Sequence, residues 1–179
     1  MTPRNGGLFA GSLTHEEGVG VLLEALDLYP GARIDVVGLG PEAARLRAHP
    51  QLRLLGRVPD EELQKRMRVA AYLVMPGLAY EPQPQALMQA FAHGLPVIAS
   101  RLSPLAEVIE PGGNGLLFEP GSARELARRL AWAAVFPEKM RQMGECAQAD
   151  YQARFVADWN WQRLYGERRR QIRGHTPIP

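Results

Sequence analysis

A glycine-rich turn at residues 38–43 has the residue types and spacing of a dinucleotide-binding site. It reads GLGPEA and matches G-x-G-x-x-A, in which glycines let the backbone approach a pyrophosphate. Acidic residues Asp60 to Glu62 follow roughly 20 residues later, where that pattern places a ribose-binding acid. However, they open a helix rather than end a strand, and the turn follows the second predicted strand, not the first. We therefore favour a tight turn that needs glycines over a dinucleotide site.

The composition argues against several other kinds of site. Cys146 is the single cysteine in 179 residues, which excludes an intrachain disulfide and fits a reducing compartment. The four histidines are scattered, without a His, Cys or Asp cluster at metal-ligand spacing, so no metal is expected. The formal net charge of +2 gives no electrostatic footprint for nucleic acid, so no nucleic-acid partner is expected.

Short apolar runs alternate with amphipathic stretches along the chain, which is the pattern of βα units around a parallel sheet. The pattern predicts an α/β fold, a doubly wound parallel sheet of about six strands flanked by helices. We expect a single domain over residues 1–173 and a disordered tail over residues 174–179. The predicted strands cover residues 8–11, 33–37, 52–55, 72–75, 97–99 and 115–118.

Capping signals mark the starts of two predicted helices. Thr14 and Glu17 have the spacing of a capping box, with Thr14 as N-cap and the Glu17 side chain reaching back to its amide. Ser122 and Glu125 have the same spacing before the later helices. Another helix is predicted over residues 85–93, closed by the glycine and proline that follow it. The two capped helices are predicted to bury Val19, Leu22, Leu23 and Leu26, and Leu126, Leu130 and Ala134.

The sequence also bears on location. It contains no apolar stretch long enough to span a bilayer and no secretory signal at its start, so a cytoplasmic protein is the default expectation. The basic cluster Arg168-Arg169-Arg170 leaves two interpretations open. It is a solvated helix face, or it docks to acidic headgroups or to a partner. The second interpretation implies peripheral contact with the cytoplasmic face of a membrane.

Three turns mark where a ligand is expected to bind. In an open parallel sheet, ligands lie beyond the carboxyl ends of the strands, near the point where the strand order reverses. The turns at such ends are Gly11-Ser12 after the first predicted strand, Gly38 to Gly40 after the second, and Pro76 to Gln89 after the fourth.

The third of these turns carries the most specific motif. Residues 75–100 read MPGLAYEPQPQALMQAFAHGLPVIAS and resemble the signature of the retaining GT-B glycosyltransferases of the glycosyltransferase group 1 family. Flanking segments are similar to that family too: FAGSLTHEEG at residues 9–18, LGRVPDEEL at residues 55–63, and NGLLFEPG at residues 114–121. The resemblance covers about residues 8–165. It implies the Rossmann-like, C-terminal half of a GT-B enzyme, the half that binds the donor.

The resemblance assigns a role to each turn. A UDP-, GDP- or ADP-sugar would lie across the strand ends without a metal, its diphosphate against the helix that begins near Gln85. Helix-terminal amides and the helix dipole favour an anion there. Glu81 holds the first position of the family's paired-glutamate motif, where it contacts the donor sugar as the catalytic residue. The implied donor-binding residues are Gly11, Ser12, Arg57, Val58, Pro84, Gln85, Ala86 and Gln89, with the backbone at Arg57 and Val58 facing the nucleobase.

Three positions depart from the family's pattern. The second glutamate of the paired motif, which receives the ribose hydroxyls, is Gln89 here, a neutral acceptor worth roughly half a charged one. Relatives commonly carry Arg after the first glycine and Lys five residues later, both aimed at the diphosphate, whereas this chain has Ser12 and Glu17. Each lost charge-assisted bond costs about 1.5–3 kcal/mol, so the pair costs roughly two to four decades of affinity.

Two hypotheses follow for the function. In the first, the chain is the donor-binding domain of a retaining glycosyltransferase that moves a sugar to an acceptor hydroxyl. GT-B enzymes have a separate N-terminal acceptor-binding domain, which this chain lacks, so we expect no transfer by the chain alone. In the second, the chain is a non-catalytic GT-B-derived binding or assembly module whose donor site is weakened at Ser12, Glu17 and Gln89. The sequence leaves open the sugar, the base and the acceptor.

Overall fold

The fold is built on one sheet whose paired strands are all parallel. The structure is a computed structural model, and it describes residues 4–79, 85–102 and 105–156. Within these residues the sheet has six strands in the order β3-β2-β1-β4-β5-β6. They are β1 Gly7–Ala10, β2 Ile34–Val37, β3 Leu52–Gly56, β4 Tyr72–Met75, β5 Val97–Ser100 and β6 Gly115–Phe118.

The strand order reverses between β1 and β4. The chain runs outward from β1 to β2 and β3, then returns to place β4 on the other side of β1. Every residue of β5 and β6 is buried, as expected for parallel strands that helices cover on both faces. The predicted doubly wound parallel sheet is confirmed, and the ligand-binding edge of such a sheet lies beyond the carboxyl ends of β1 and β4.

Seven helices connect or follow the strands in the described part of the chain. None of them is long and apolar enough to cross a lipid bilayer. A π-helical segment at Tyr151–Val156 continues the last helix. The helices are α1 Val19–Leu28, α2 Ala43–Ala48, α3 Asp60–Val69, α4 Gln85–Ala92, α5 Leu105–Val108, α6 Ala123–Val135 and α7 Pro137–Asp150.

Two apolar layers, one on each face of the sheet, hold the helices in place. Alternate strand residues point to opposite faces, so Phe9 packs with α1 and α6 while Leu8 packs with α3 and α4. Helix α7 joins the layers, because Met140 lies in the first and Ala147 in the second. Burial of one large apolar side chain contributes about 1.5–3 kcal/mol, so these layers hold the helices against the sheet.

The predicted strand positions agree closely with the structure. Strands β4 and β6 have the predicted bounds, β2, β3 and β5 differ by one residue at one end, and β1 is shifted by one residue toward the N-terminus. Helix α4 is described over Gln85–Ala92 and ends one residue early, while its predicted start stays a prediction because residues 80–84 lie outside the described residues. The short α5 is not among the predicted elements. The prediction of one domain with a tail stays a prediction, since residues 157–179 lie outside the described residues.

The predicted start of α1 is wrong. The helix begins at Val19 after Gly18, whose φ of 75° is left-handed, and no side chain caps it. A Cβ on Gly18 would overlap the carbonyl oxygen of Pro76. The Thr14 hydroxyl does accept a hydrogen bond from the Glu17 amide, at 3.4 Å, but it closes a turn before the helix. Packing against the loop after β4 thus delays α1 by one turn.

The second capping box is confirmed in part. The Ser122 hydroxyl accepts a hydrogen bond from the Glu125 amide at 3.3 Å, and the Glu125 carboxylate accepts one from the Glu119 amide at 2.9 Å. On α6, Leu126 and Leu130 are fully buried as predicted, but Ala134 is exposed. The side packed against α1 continues instead through Ala133, which is 4% exposed.

Candidate functional site

The candidate site is the carboxyl edge of the sheet. Because the strands are parallel, the loops after β3, β2, β1 and β4 all emerge at this edge, side by side in that order. Neighbouring strands lie roughly 4.8 Å apart, so the edge from β3 to β4 is about 14 Å wide. The predicted donor-binding residues that the structure describes lie along this edge, at the ends of β1 and β3 and the start of α4.

The glycine-rich turn after β2 supports the loop after β1. A Cβ on Gly38 would overlap the Gly11 carbonyl oxygen, and a Cβ on Gly40 would overlap the Leu13 backbone. The Leu13 amide donates to the Leu39 carbonyl at 2.9 Å. Both glycines are therefore needed because two protein loops approach closely. This confirms the tight-turn interpretation of residues 38–43, and the acidic residues from Asp60 lie in the first turn of α3.

Arg57 and Val58 lie at the far end of the edge. They follow Gly56, whose carbonyl accepts a hydrogen bond from the Gly38 amide at 2.9 Å. Arg57 is exposed and Val58 is half-buried against the second apolar layer. The bond brings Leu39, which is 60% exposed, next to this segment. Sequence analysis did not select Leu39, although an apolar residue between two glycines at a strand end was a usable signal.

Helix α4 begins at the same edge. It connects β4 to the parallel strand β5, so it runs against the strands and its first turn lies at their carboxyl ends. Leu87, Ala90 and Phe91 face the sheet. Gln85 is exposed, and Gln89 is half-buried one turn later on the same face.

The first-turn amides of α4 are the donors available to an anion. Helix amides point toward the N-terminus, and among the described residues those of Gln85 and Ala86 have no carbonyl partner within the helix. The first turn carries no acidic residue. The amides therefore point along the helix axis toward the carboxyl edge, where they can donate to a phosphate. Glu81 and Pro84 lie outside the described residues, so their roles stay predictions.

The loop after β1 carries negative charge. The Gly11 amide donates to the Val37 carbonyl at 3.1 Å, and Ser12 is exposed. An Oε2 atom of Glu17 lies 3.5 Å from the position of a Cβ on Gly11, so this carboxylate is beside the strand end. Hydrogen bonds from its own backbone amide and from the Thr14 hydroxyl lower the pKa of the exposed Glu16. Glu17 and Ser12 stand at the two positions where the resemblance implies positive charge, and Glu16 adds a second carboxylate to the loop.

The other end of α4 is held by Arg4. Its guanidinium donates to the carbonyls of Gly94 at 2.6 Å and His93 at 2.7 Å. Burial, together with the charges of Arg68 and Arg4, lowers the pKa of His93, so Arg4 rather than His93 supplies the positive charge at this helix end. Sequence analysis missed Arg4, since about 90 residues separate it from its partners and no local pattern links them.

Two further polar residues, Asn114 and Ser100, are buried. Asn114 is 2% exposed and joins three segments: its Oδ1 accepts from the Glu110 amide, and its Nδ2 donates to Asp150 and to the Val108 carbonyl. Ser100, at the end of β5, is fully buried, and its hydroxyl has no hydrogen-bond partner among the described residues. Within residues 4–79, 85–102 and 105–156, no group of three or more His, Cys, Asp or Glu side chains could hold a metal.

A parallel sheet with this strand order, covered by helices on both faces, defines a Rossmann-like domain. Residues 4–134 match the family model described as glycosyl transferases group 1, and the chain belongs to that family. An exopolysaccharide phosphotransferase of Streptomyces coelicolor is 31% identical to it over 155 residues, which are 80% of this chain and 16% of that protein.

Solved structures share the fold. The crystal structure of HepE from Anabaena in complex with UDP has a TM-score of 0.78 at 23% identity, over 92% of this chain and 49% of that one. The C-terminal domain of a glycosyl transferase group 1 family protein from Francisella tularensis has a TM-score of 0.70 at 19% identity, over 86% of this chain and 87% of that domain. The chain thus has the fold of one Rossmann-like half of a GT-B glycosyltransferase, and it spans about half the length of HepE.

Proposed function

We propose that this chain is the C-terminal, donor-binding domain of a retaining glycosyltransferase that moves a sugar from a nucleotide diphosphate to an acceptor hydroxyl. The observation that carries the proposal is the start of α4 at the carboxyl edge, next to the reversal of strand order between β1 and β4. The mutual coverage with the isolated Francisella domain supports the C-terminal assignment. The UDP in the HepE crystal supports a nucleotide as ligand.

The proposed donor lies along the 14 Å edge, in the direction from β3 to β4. Its base packs against the segment at Arg57 and Val58, where exposed Leu39 adds an apolar surface. Its ribose hydroxyls donate to the Gln89 side chain, one turn inside α4. Its diphosphate accepts hydrogen bonds from the Gln85 and Ala86 amides.

The proposed chemistry depends on the start of α4. As the acceptor oxygen bonds to the anomeric carbon through an oxocarbenium-like state, the bond to the diphosphate breaks and negative charge builds on the leaving group. Amides fixed in a helix stabilise this charge without reorganising. Glu81 contacts and orients the sugar, and no metal is needed because the amides and the helix dipole face the anion. A cytoplasmic location stays a prediction.

A separate N-terminal domain supplies the acceptor in this proposal. We therefore expect no sugar transfer by residues 1–179 alone. Turnover of a nucleotide sugar by the purified chain, measured as release of the nucleoside diphosphate with an acceptor panel, would contradict this part of the proposal.

A second candidate function is favoured by the position of Glu17. Its carboxylate lies beside Gly11, at the strand end where the resemblance implies cations for the diphosphate. A non-catalytic binding or assembly module would tolerate such a charge. We prefer the donor-binding role because the backbone donors at α4 and the close-packed glycine turns are retained.

Calorimetric titration separates the two candidates. The purified chain is titrated with UDP, GDP and ADP and with the corresponding sugars, beside Glu81→Ala. Saturable binding of a nucleotide sugar that is weakened in Glu81→Ala, with thermal unfolding unchanged, supports the donor-binding role. No binding of any of these ligands at millimolar concentration supports the non-catalytic module.

A further inference from the structure

We propose that the outer surface of α1 and α6 is the contact surface of a symmetric homodimer, in which α1 of one copy packs against α6 of the other. This inference goes beyond the proposed function and does not depend on it, because the surface lies on a helix layer and not at the carboxyl edge. We call this surface the α1/α6 face. Its main residues are Glu24 and Leu28 from α1, and Arg124, Arg128, Trp132 and Val135 from α6.

The two helices lie side by side and run in the same direction. Both pack in the first apolar layer, and they contact each other directly. Both also begin beside the loop after β4: a Cβ on Gly18 would overlap the Pro76 carbonyl oxygen, and a Cβ on Gly121 would lie 3.8 Å from Leu78. The C-terminal ends of α1 and α6 therefore also lie near each other, toward the amino ends of the strands.

The exposed charges of the two helices have opposite signs. Glu24 and Asp27 are exposed on α1, and residues 11–32 include no Lys or Arg. Arg124 and Arg128 are exposed on α6. Glu24 and Arg128 are each the sixth residue of their helix, so they lie at about the same height along the two helices. Among the described residues, none of Glu24, Arg124 and Arg128 forms a salt bridge, so these charges are available to a partner.

Exposed apolar side chains lie at the C-terminal ends of the same two helices. Leu28 is 55% exposed at the end of α1, and Val135 and Phe136 are 68% and 45% exposed at the end of α6. The Trp132 and Phe136 rings are 5.0 Å apart, measured between their centroids. A contiguous apolar surface beside exposed charges is typical of a protein contact.

A second copy of the chain matches the α1/α6 face because the face has one acidic and one basic half. If a two-fold axis runs between the helices and parallel to them, α1 of one copy lies against α6 of the other at the same height. Glu24 of each copy then faces Arg128 of the other copy, and Leu28 faces Trp132 of the other copy. A two-fold axis across the helices would instead place α1 against α1 and like charges together, so the charges select the first arrangement.

The size of the face determines the concentrations for the test. Helix α6 has 13 residues and is about 20 Å long, and two adjacent helices are about 20 Å wide. Such a face lies at the lower end of specific interfaces, so we expect a dissociation constant in the micromolar range. Sedimentation equilibrium of the 179-residue chain over about 2–200 µM covers this range.

The first test places a charge in the apolar part of the face. Val135→Asp should raise the dissociation constant of the dimer at least about tenfold, because each dimer buries the new carboxylate twice. Val69→Asp is the matched control, since Val69 is also the last residue of its helix, is 58% exposed and lies on α3. Because α3 packs on the opposite face of the sheet, the control should change the dissociation constant by less than about twofold.

The second test reverses the paired charges. Glu24→Arg and Arg128→Glu should each raise the dissociation constant about tenfold, because two like-charged pairs form in each dimer. An equimolar mixture of the two variants should recover the dimer, since both pairs in a mixed dimer again have opposite charges. The double variant Glu24→Arg/Arg128→Glu should recover it for the same reason.

Three results would overturn the proposal. The first is a parent chain that stays monomeric up to about 200 µM. The second is a dimer that Val135→Asp weakens no more than Val69→Asp does. The third is a pair of charge-reversed variants that dissociate alone but do not associate when they are mixed, which would exclude the contact between α1 and α6. None of these results depends on nucleotide binding, so each leaves the proposed function standing.

Discussion

The two ends of α4 satisfy their backbone groups in different ways. At the last turn, the Arg4 guanidinium donates to the carbonyls of His93 and Gly94. At the first turn, the amides of Gln85 and Ala86 have no partner in the helix as far as residues 85–92 describe it, and they point to the carboxyl edge of the sheet. The comparison teaches that the C-terminal end of α4, which only stabilises the fold, has its carbonyls hydrogen-bonded by a side chain. The N-terminal end instead faces the ligand-binding edge.

The largest expected effect comes from the contact between the loops after β1 and β4, which lie beside the N-terminal end of α4. In Gly18→Ala, a Cβ would overlap the Pro76 carbonyl at a left-handed φ of 75°. We expect a loss of about 3 kcal/mol in the free energy of unfolding, measured by urea denaturation. The matched control is Gly20→Ala, because a Cβ there meets nothing within 4 Å. Equal stability of the two variants would show that the loops after β1 and β4 are not tightly packed.

The second prediction concerns the C-terminal end of α4. Arg4→Ala removes two charge-assisted hydrogen bonds to helix-terminal carbonyls, so we expect a loss of about 2 kcal/mol in the free energy of unfolding. Nucleotide affinity should not change, because Arg4 lies at the opposite end of α4 from the ligand. Arg4→Lys keeps the charge without the planar guanidinium, so its free energy of unfolding should lie between those of the parent and Arg4→Ala. If Arg4→Ala were as stable as the parent but bound nucleotide more weakly, the claim that the C-terminal end of α4 only stabilises the fold would be wrong.

The smallest expected effect is a change in the titration of His93. Burial and the charges of Arg68 and Arg4 lower its pKa below the usual 6.5. In Arg4→Ala one of these charges is gone, so we expect the pKa to rise while it stays below the usual value, since burial and Arg68 remain. An NMR titration of the imidazole checks this. A pKa that falls or does not move would contradict the position of Arg4.

The same shift has a consequence for stability. Because the folded state holds His93 below its unfolded pKa, the unfolded chain binds the proton first as the pH falls below about 6.5. The parent therefore loses stability from this residue as the pH decreases through that range. His93→Gln should lose less between pH 7 and pH 5, by under about 1.4 kcal/mol, in parallel urea titrations. An equal loss of stability between pH 7 and pH 5 in the parent and in His93→Gln would show that His93 does not contribute to the pH dependence.

Much of the fold was predictable because local pattern and tertiary burial agree. Strands β4 and β6 are apolar runs that helices cover on both faces, so composition alone marks their ends. The end of α4 was similarly marked by Gly94, whose φ of 61° suits a helix terminus. These features depend on residues within a few positions of each other.

The missed features depend on contacts between distant segments. The start of α1 follows from Gly18 against Pro76, which no periodicity within residues 14–26 reveals. Arg4 contacts its acceptors in space, but about 90 residues, which include strands β1 to β4, separate them in the sequence. The residue type at Glu17 was visible in the sequence, but its capping spacing did not show that the carboxylate lies beside Gly11. Loop-to-loop packing decided each of these, and it is absent from a linear pattern.

The most direct test of the central claim removes one backbone donor at the start of α4. Gln85→Pro deletes the amide at a first-turn position where proline is compatible with a helix, and Gln85→Ala changes the side chain but keeps the amide. We predict that calorimetry shows at least about tenfold weaker binding of the preferred nucleotide in Gln85→Pro, and a change within about twofold in Gln85→Ala. Equal affinities in the two variants, with α4 intact by circular dichroism, would contradict the claim that main-chain amides hold the phosphate.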